Sequence, residues 1–117
     1  MSWIDNADGP FCYITTTSRR TGNPHTIEIW FAVSPTAQTL YILTYRRSDT
    51  VRNLRKEPTV TVRVGGRDHR ATARLVESGN AEDAVARRLV VDKYQAPGAT
   101  DLESWGASSL LVAFDLA

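Results

Sequence analysis

The sequence predicts a small, mainly β domain: six antiparallel strands curled into a barrel, with helices at its periphery. Three observations carry this. Short runs of β-branched and aromatic residues alternate with polar ones, and glycine, proline and serine collect between them. The clearest run, Thr59–Val64, is followed by Gly65-Gly66 and a returning strand, which is a hairpin signature. Only two stretches carry helical spacing, residues 50–56 and the segment after Asn80.

The elements follow in order. Residues 1–10 read as an irregular lead-in closed by Gly9 and Pro10. Phe11–Thr17 is the first strand, ending in three β-branched threonines. Ser18–Pro24 gathers turn formers around Arg19 and Arg20, with Gly22 free to adopt a positive φ. His25–Val33 is the second strand, with Ile27, Ile29, Phe31 and Val33 on one face and Thr26, Glu28, Trp30 and Ala32 on the other. Ser34, Pro35 and Thr36 turn into Thr39–Thr44, which is apolar on both faces and therefore central or covered twice. Ser48 or Asp49 caps a short helix over Thr50–Lys56, with Val51 and Leu54 inward, and Pro58 stops it. Thr59–Val64 and Arg67–Val76 form the hairpin. Asn80, with Asp83 three residues on, caps a longer helix whose expected apolar stripe is Ala81, Val85 and Leu89 with Ala86, Val90 and Tyr94. Pro97 and Gly98 end it, Thr100–Gly106 holds one helical turn, and Leu110–Leu116 is the last strand.

Composition narrows the class. A chain of 117 residues, 42% hydrophobic and 23% charged, is one domain, 1–117, of soluble globular type. No apolar run approaches the roughly 20 residues that span a bilayer, and the first residues lack the basic and apolar regions of a signal peptide. The lone Cys12, between Phe11 and Tyr13, reads as a small buried hydrophobe, and a reducing cytoplasm is the expected setting. The net charge of +1 argues against a general nucleic-acid binder, which usually has a larger basic excess. That small number hides local bias: Arg19, Arg20, Arg46, Arg47, Arg52, Arg55 and Lys56 come from two short segments. Such segments either grip a small anionic ligand or form a solvated face.

Motifs for self-sufficient catalysis are missing. His25 and His69 are the only histidines and have no ligand-spaced cysteine or carboxylate, so no metal site is expected. There is no nucleophile elbow, phosphate-binding glycine loop or dinucleotide fingerprint. No side chain is assigned a catalytic role. A domain poor in acid–base groups and rich in anion-gripping ones suits chemistry carried by a cofactor.

Three pieces together, TTTSRRTGNPHTIEIWF, LYILTYRRSDTVRNLRKEPTVTVRVGGR and a helix ending in KYQ followed by a tryptophan, carry a family resemblance over about residues 11–117. The chain resembles the deazaflavin-dependent nitroreductases, within the flavin- and deazaflavin-dependent oxidoreductases of the split β-barrel, FMN-binding-protein-like type that pyridoxamine-phosphate oxidases share. The resemblance implies coenzyme F-420, an 8-hydroxy-5-deazaflavin with a phosphate- and glutamate-bearing tail, and hydride transfer to a nitro compound, quinone or enone. It places Arg20, Thr21, Gly22 and His25 at the tail and Arg46, Arg47 and Ser48 at phosphate and ring edge, and counts Arg52 and Asn53, which match the family's helix motif, among the cofactor contacts. It lays the backbone of Ile27, Glu28 and Ile29 along the ring, and Tyr94 and Trp105 toward the acceptor. Tyr45-Arg46-Arg47 stands where relatives carry glycines, and His25 where many carry arginine. Arg74, on a strand outside both segments, is expected to take no part in cofactor binding. The resemblance leaves room for an FMN-binding barrel and for a non-catalytic cofactor-binding or storage protein. The expected partner is a small-molecule acceptor, with a homodimer possible and no nucleic acid or integral membrane segment.

Overall fold

The computed structural model describes residues 9–34, 37–76, 79–94, 102, 105 and 108–116. Seven strands and two helices follow in chain order: β1 (Cys12–Thr17), β2 (Pro24–Ile29), β3 (Ala32–Val33), β4 (Thr39–Thr44), α1 (Asp49–Lys56), β5 (Thr59–Val64), β6 (Arg67–Leu75), α2 (Ala81–Tyr94) and β7 (Leu110–Leu116). They form one sheet, ordered β2-β1-β5-β6-β7-β4-β3, and each pairing is antiparallel.

The strand order explains the closure. β2 and β3 lie at opposite edges of the sheet, yet only Trp30 and Phe31 separate them in sequence. The sheet must therefore curl until its edges meet at that corner, which makes it a barrel. This corrects the single strand expected over His25–Val33, and six strands become seven. The alternation nevertheless runs through the corner: Ile27, Ile29, Phe31 and Val33 all face the inner core.

That inner core is built from alternate residues of the strands, among them Ile14, Leu40, Ile42, Val60, Val62, Val64, Val112 and Phe114. Cys12 is fully buried within it, and burial pushes its thiol pKa up to about 12, so it behaves as a hydrophobe. The odd faces of β4 and β7, Tyr41, Leu43, Leu111 and Ala113, pack outward against Ala86, Val90 and Val91 of α2. This is why Thr39–Thr44 is apolar on both faces. Gly65 and Gly66 take φ of 58° and 80°, the doubly left-handed turn that suits a two-residue hairpin.

α2 starts as the sequence predicts: the Asp83 N–H donates to Asn80 Oδ1 at 2.7 Å, and Asp83 Oδ2 accepts from the Gly79 N–H. Its buried face differs from the expected stripe. Asp83, Ala86, Val90 and Val91 are buried, whereas Ala81 and Val85 are exposed. Asp83 tolerates burial because Arg87 pairs with it at 2.7 Å, and Arg87 also donates to the Ser109 carbonyl at 2.6 Å. The stops expected at Pro97 and Gly98 lie outside the described residues.

Candidate functional site

The site is built outward from the β1–β2 turn. Ser18 N–H donates to the Asn23 carbonyl at 2.8 Å, and Gly22 N–H donates to the Ser18 carbonyl at 2.9 Å. Gly22 has φ 78°, a conformation that L side chains rarely adopt. Arg20 and Thr21 N–H groups both donate to Ser18 Oγ. The turn is thus folded on itself, with Arg20, Thr21 and Gly22 exposed at its tip.

The two arginines of the turn have separate environments. Arg19 lies along α1: its Nη1 donates to Asn53 Oδ1 at 2.9 Å, its backbone N–H donates to the same oxygen at 3.1 Å, and its Nη2 lies 3.2 Å from Asp49 Oδ1. Arg20 stands exposed, and no described carboxylate pairs with it. Ser18, Arg19, Arg20, His25, Asp49 and Asn53 line a polar hollow of about 160 Å³. A second hollow, about 310 Å³, continues past Gly22 toward Lys56 and Glu57.

α1 brings in the other basic segment. Ser48 is its N-cap: Ser48 Oγ accepts from the Val51 N–H at 3.2 Å, and Ser48 N–H closes the preceding turn onto the Tyr45 carbonyl. Arg46 and Arg47 are exposed on that turn and Arg52 on the helix, again with no carboxylate partner among the described residues. The Arg19–Asp49 contact ties this end of α1 to the β1–β2 turn. Asn53, by contrast, is only 2% exposed, and its carboxamide is spent inside the protein.

From the turn, β2 runs along an edge of the sheet for six residues, roughly 17–20 Å. Among the described residues it pairs only with β1, so every second peptide of Ile27–Ile29 presents its N–H and C=O to the open side. Ile27 and Ile29 side chains face the core. Glu28 is taken by Tyr13, whose hydroxyl donates to Glu28 Oε2 at 2.6 Å; that bond raises the Tyr13 pKa.

At the far end of β2 stands an aromatic corner. Trp30 stacks on Tyr94, centroids 4.3 Å apart, and meets Trp105 edge-on at 5.7 Å. The Tyr94 hydroxyl accepts from the Phe31 N–H at 3.0 Å and lies 2.7 Å from the Pro10 carbonyl and 3.1 Å from the Phe31 carbonyl. Burial raises its pKa. Tyr94 therefore pins the corner where the barrel closes, and Trp30, not singled out from the sequence, joins the two aromatics that were. The signal for Trp30 was its place on the outward face of the second strand.

Arg74, away from both basic segments, has a structural role. It bridges Glu82 of α2 and Asp115 of β7, and Tyr41 donates to Glu82 at 2.8 Å. It binds α2 to the sheet and is no bystander. Among the described residues no three His, Cys, Asp or Glu side chains are placed to hold a metal, and no helix is long and apolar enough to cross a membrane.

A curled antiparallel sheet, an arginine-bearing rim at one end of an edge strand and an aromatic corner at the other define a split β-barrel of the pyridoxamine-phosphate-oxidase-like class. Solved structures share this fold. An F-420-H2 dependent reductase superposes with a TM-score of 0.71 at 18% identity, over 91% of this chain and 94% of that one. A putative 5-nitroimidazole antibiotic resistance protein from Bacteroides thetaiotaomicron gives 0.70 at 15% identity, over 97% and 75%. A putative pyridoxamine 5'-phosphate oxidase from Listeria innocua gives 0.65 at 14% identity, over 92% and 84%. No curated protein matches the sequence. The family profile described as F-420H(2)-dependent quinone reductase matches residues 5–112, and the chain belongs to that family. Its activity class is that of an F-420-dependent oxidoreductase acting on a small molecule.

Proposed function

We propose that the chain holds F-420 along the open edge of β2, with the anionic tail at the β1–β2 turn, and reduces a planar organic acceptor at the aromatic corner. One observation carries this reading. The Arg19–Asp49 contact brings together two basic segments whose outer guanidinium groups, Arg20, Arg46, Arg47 and Arg52, meet no described carboxylate. Unpaired guanidinium groups beside a helix start suit phosphate and carboxylate, and the donor set fits the cofactor.

Each residue then has a task. Arg20, the exposed backbone of Thr21 and Gly22, and His25 receive the tail. Arg46, Arg47, Arg52 and the capped start of α1 at Ser48 receive phosphate. The open backbone of Ile27, Glu28 and Ile29 meets the polar edge of a flat ring; the Glu28 carboxylate, held by Tyr13, stays outside. Trp30, Tyr94 and Trp105 offer an apolar surface that keeps water from the acceptor. The Tyr94 proton is committed to backbone carbonyls, so it is no proton donor to substrate. When bound, reduced F-420 supplies the hydride. The acceptor class we infer is a quinone, nitro compound or enone, and pairing of two copies and a cytoplasmic setting belong to the same reading.

Fluorescence titration with F-420 and FMN tests the cofactor, and turnover with a quinone, a nitroarene and an enone tests the activity. Tighter binding of F-420 and consumption of its reduced form are expected. Tighter FMN binding would replace the cofactor, and binding without turnover of any acceptor would make the chain a carrier. Sedimentation as a monomer would remove the pairing.

A further inference from the structure

The resemblance places Arg20 at the cofactor tail, gives Arg19 no task and offers Asn53 as a ligand contact. Asn53 is 2% exposed, and its carboxamide bonds to Arg19 and Thr16. Its Oδ1 accepts from both the backbone N–H and the Nη1 of Arg19, and its Nδ2 donates to Thr16 Oγ1 at 3.1 Å. Thr16 is itself buried on β1 and donates to the His25 carbonyl at 3.4 Å. Lys56, one turn of α1 further on, donates to the Arg19 carbonyl at 3.1 Å. Asn53 therefore ties α1 to β1, to Arg19 just before the turn tip and, through Thr16, to the start of β2.

We propose that Asn53 is the positioning residue of the anion-binding turn: it locks Arg19 against α1 so that, of the two arginines of the turn, Arg20 is the one presented to the ligand. The proposal deepens the cofactor reading above and rests on it for the identity of the ligand. The physical basis is preorganisation. A turn with φ-permissive Gly22 and only a few internal bonds samples many conformations, and binding to one of them is weakened by the fraction of time it is populated. A buried carboxamide suits the task better than a carboxylate or lysine. It donates and accepts at once, and carries no charge into the interior. Arg19 suits it because its fork reaches Asn53 and Asp49 together.

Two readouts test it. Hydrogen exchange is measured on the ligand-free protein, and F-420 affinity by fluorescence titration. Asn53→Leu keeps the volume and removes the bonds. In it, the amides of Ser18, Arg19 and Gly22 should exchange about tenfold faster, the worth of one or two net hydrogen bonds, while amides of β5 and β6 stay protected. Affinity should fall by about tenfold in the wild-type background but less than about twofold when Arg20 is already alanine, because a positioning residue acts through the group it positions. Arg19→Lys keeps the charge and breaks the fork, so it serves if Asn53→Leu does not fold. It should speed the same amides, whereas Arg20→Lys should not. Unchanged exchange at the turn in both Asn53→Leu and Arg19→Lys would overturn the proposal. So would an Asn53→Leu affinity loss that persists in full in the Arg20→Ala background. Failure of the wild type to bind F-420 would instead remove the cofactor reading, and the exchange experiment would still decide whether the lock exists.

Discussion

The two ends of β2 are held in opposite ways. At its start, Arg20 is exposed on a turn that Asn53 bonds through Arg19, and Arg46 and Arg47 are exposed on the turn before α1. At its end, Trp30 stacks on Tyr94 and meets Trp105 edge-on over the corner where the barrel closes. The first end offers charge that the fold does not need; the second offers surface that the fold is built on. Substitutions at the first should therefore change binding and spare stability. Substitutions at the second should change both.

The largest effect is expected at the aromatic end. Tyr94→Ala removes a stacked ring and the hydroxyl that satisfies Phe31, and should cost about 3 kcal/mol in urea unfolding, the lower end for buried aromatic truncations. Tyr94→Phe keeps the ring and strands the Phe31 N–H, and should cost about 1–2 kcal/mol. If either variant kept full stability while acceptor turnover fell, the corner would be a purely functional surface and the contrast would fail.

Arg20→Ala comes next. It should weaken F-420 binding by about 1.5–3 kcal/mol, the worth of a charge-assisted hydrogen bond, and shift stability by less than about 0.5 kcal/mol. Added salt should weaken the wild type more than the variant, since screening acts on a pair only while the pair exists.

Arg74→Ala sharpens the comparison from outside. Arg74 lowers the pKa values of Glu82 and Asp115 chiefly through its hydrogen bonds to them. A carboxylate with a depressed folded pKa contributes stability above its unfolded pKa, about 4, and loses that contribution as pH falls through the folded value. Wild-type stability should therefore fall below about pH 4, and the variant, already weaker near neutrality by about 1 kcal/mol, should lose less on acidification. Parallel pH profiles for the two proteins would contradict this. Cofactor affinity should be untouched by Arg74→Ala once folding is accounted for. The smallest effects are expected from Arg20→Lys, which keeps the charge, and from Arg67→Ala on the hairpin, which should leave both stability and binding unchanged.

Much of this was legible in the sequence because it is local. Val60, Val62 and Val64 with Gly65-Gly66 specify a hairpin, and Ser48 specifies the start of α1, without any distant partner. What escaped depends on distant contacts. The break at Trp30-Phe31 keeps the alternating pattern, and the hydroxyl that fixes it comes from Tyr94, 63 residues away. Asp83 reads as a capping residue, and its burial shows only once Arg87 and Gly79 are seen to satisfy it. The bridge from Arg74 to Asp115 spans 41 residues and leaves no local pattern. The bond that holds Arg19 was invisible for the same reason: Asn53 is 34 residues from it.

The central claim is that the β1–β2 turn grips an anionic deazaflavin tail through Arg20. Its most direct test is a fluorescence titration of F-420 into wild type, Arg20→Ala and Arg67→Ala under one buffer, at low and high salt. The account predicts a dissociation constant roughly ten- to a hundredfold weaker for Arg20→Ala, a flatter salt dependence for that variant, and wild-type behaviour for Arg67→Ala. Equal affinities for Arg20→Ala and Arg67→Ala would contradict it and leave the arginines of the turn as a solvated face.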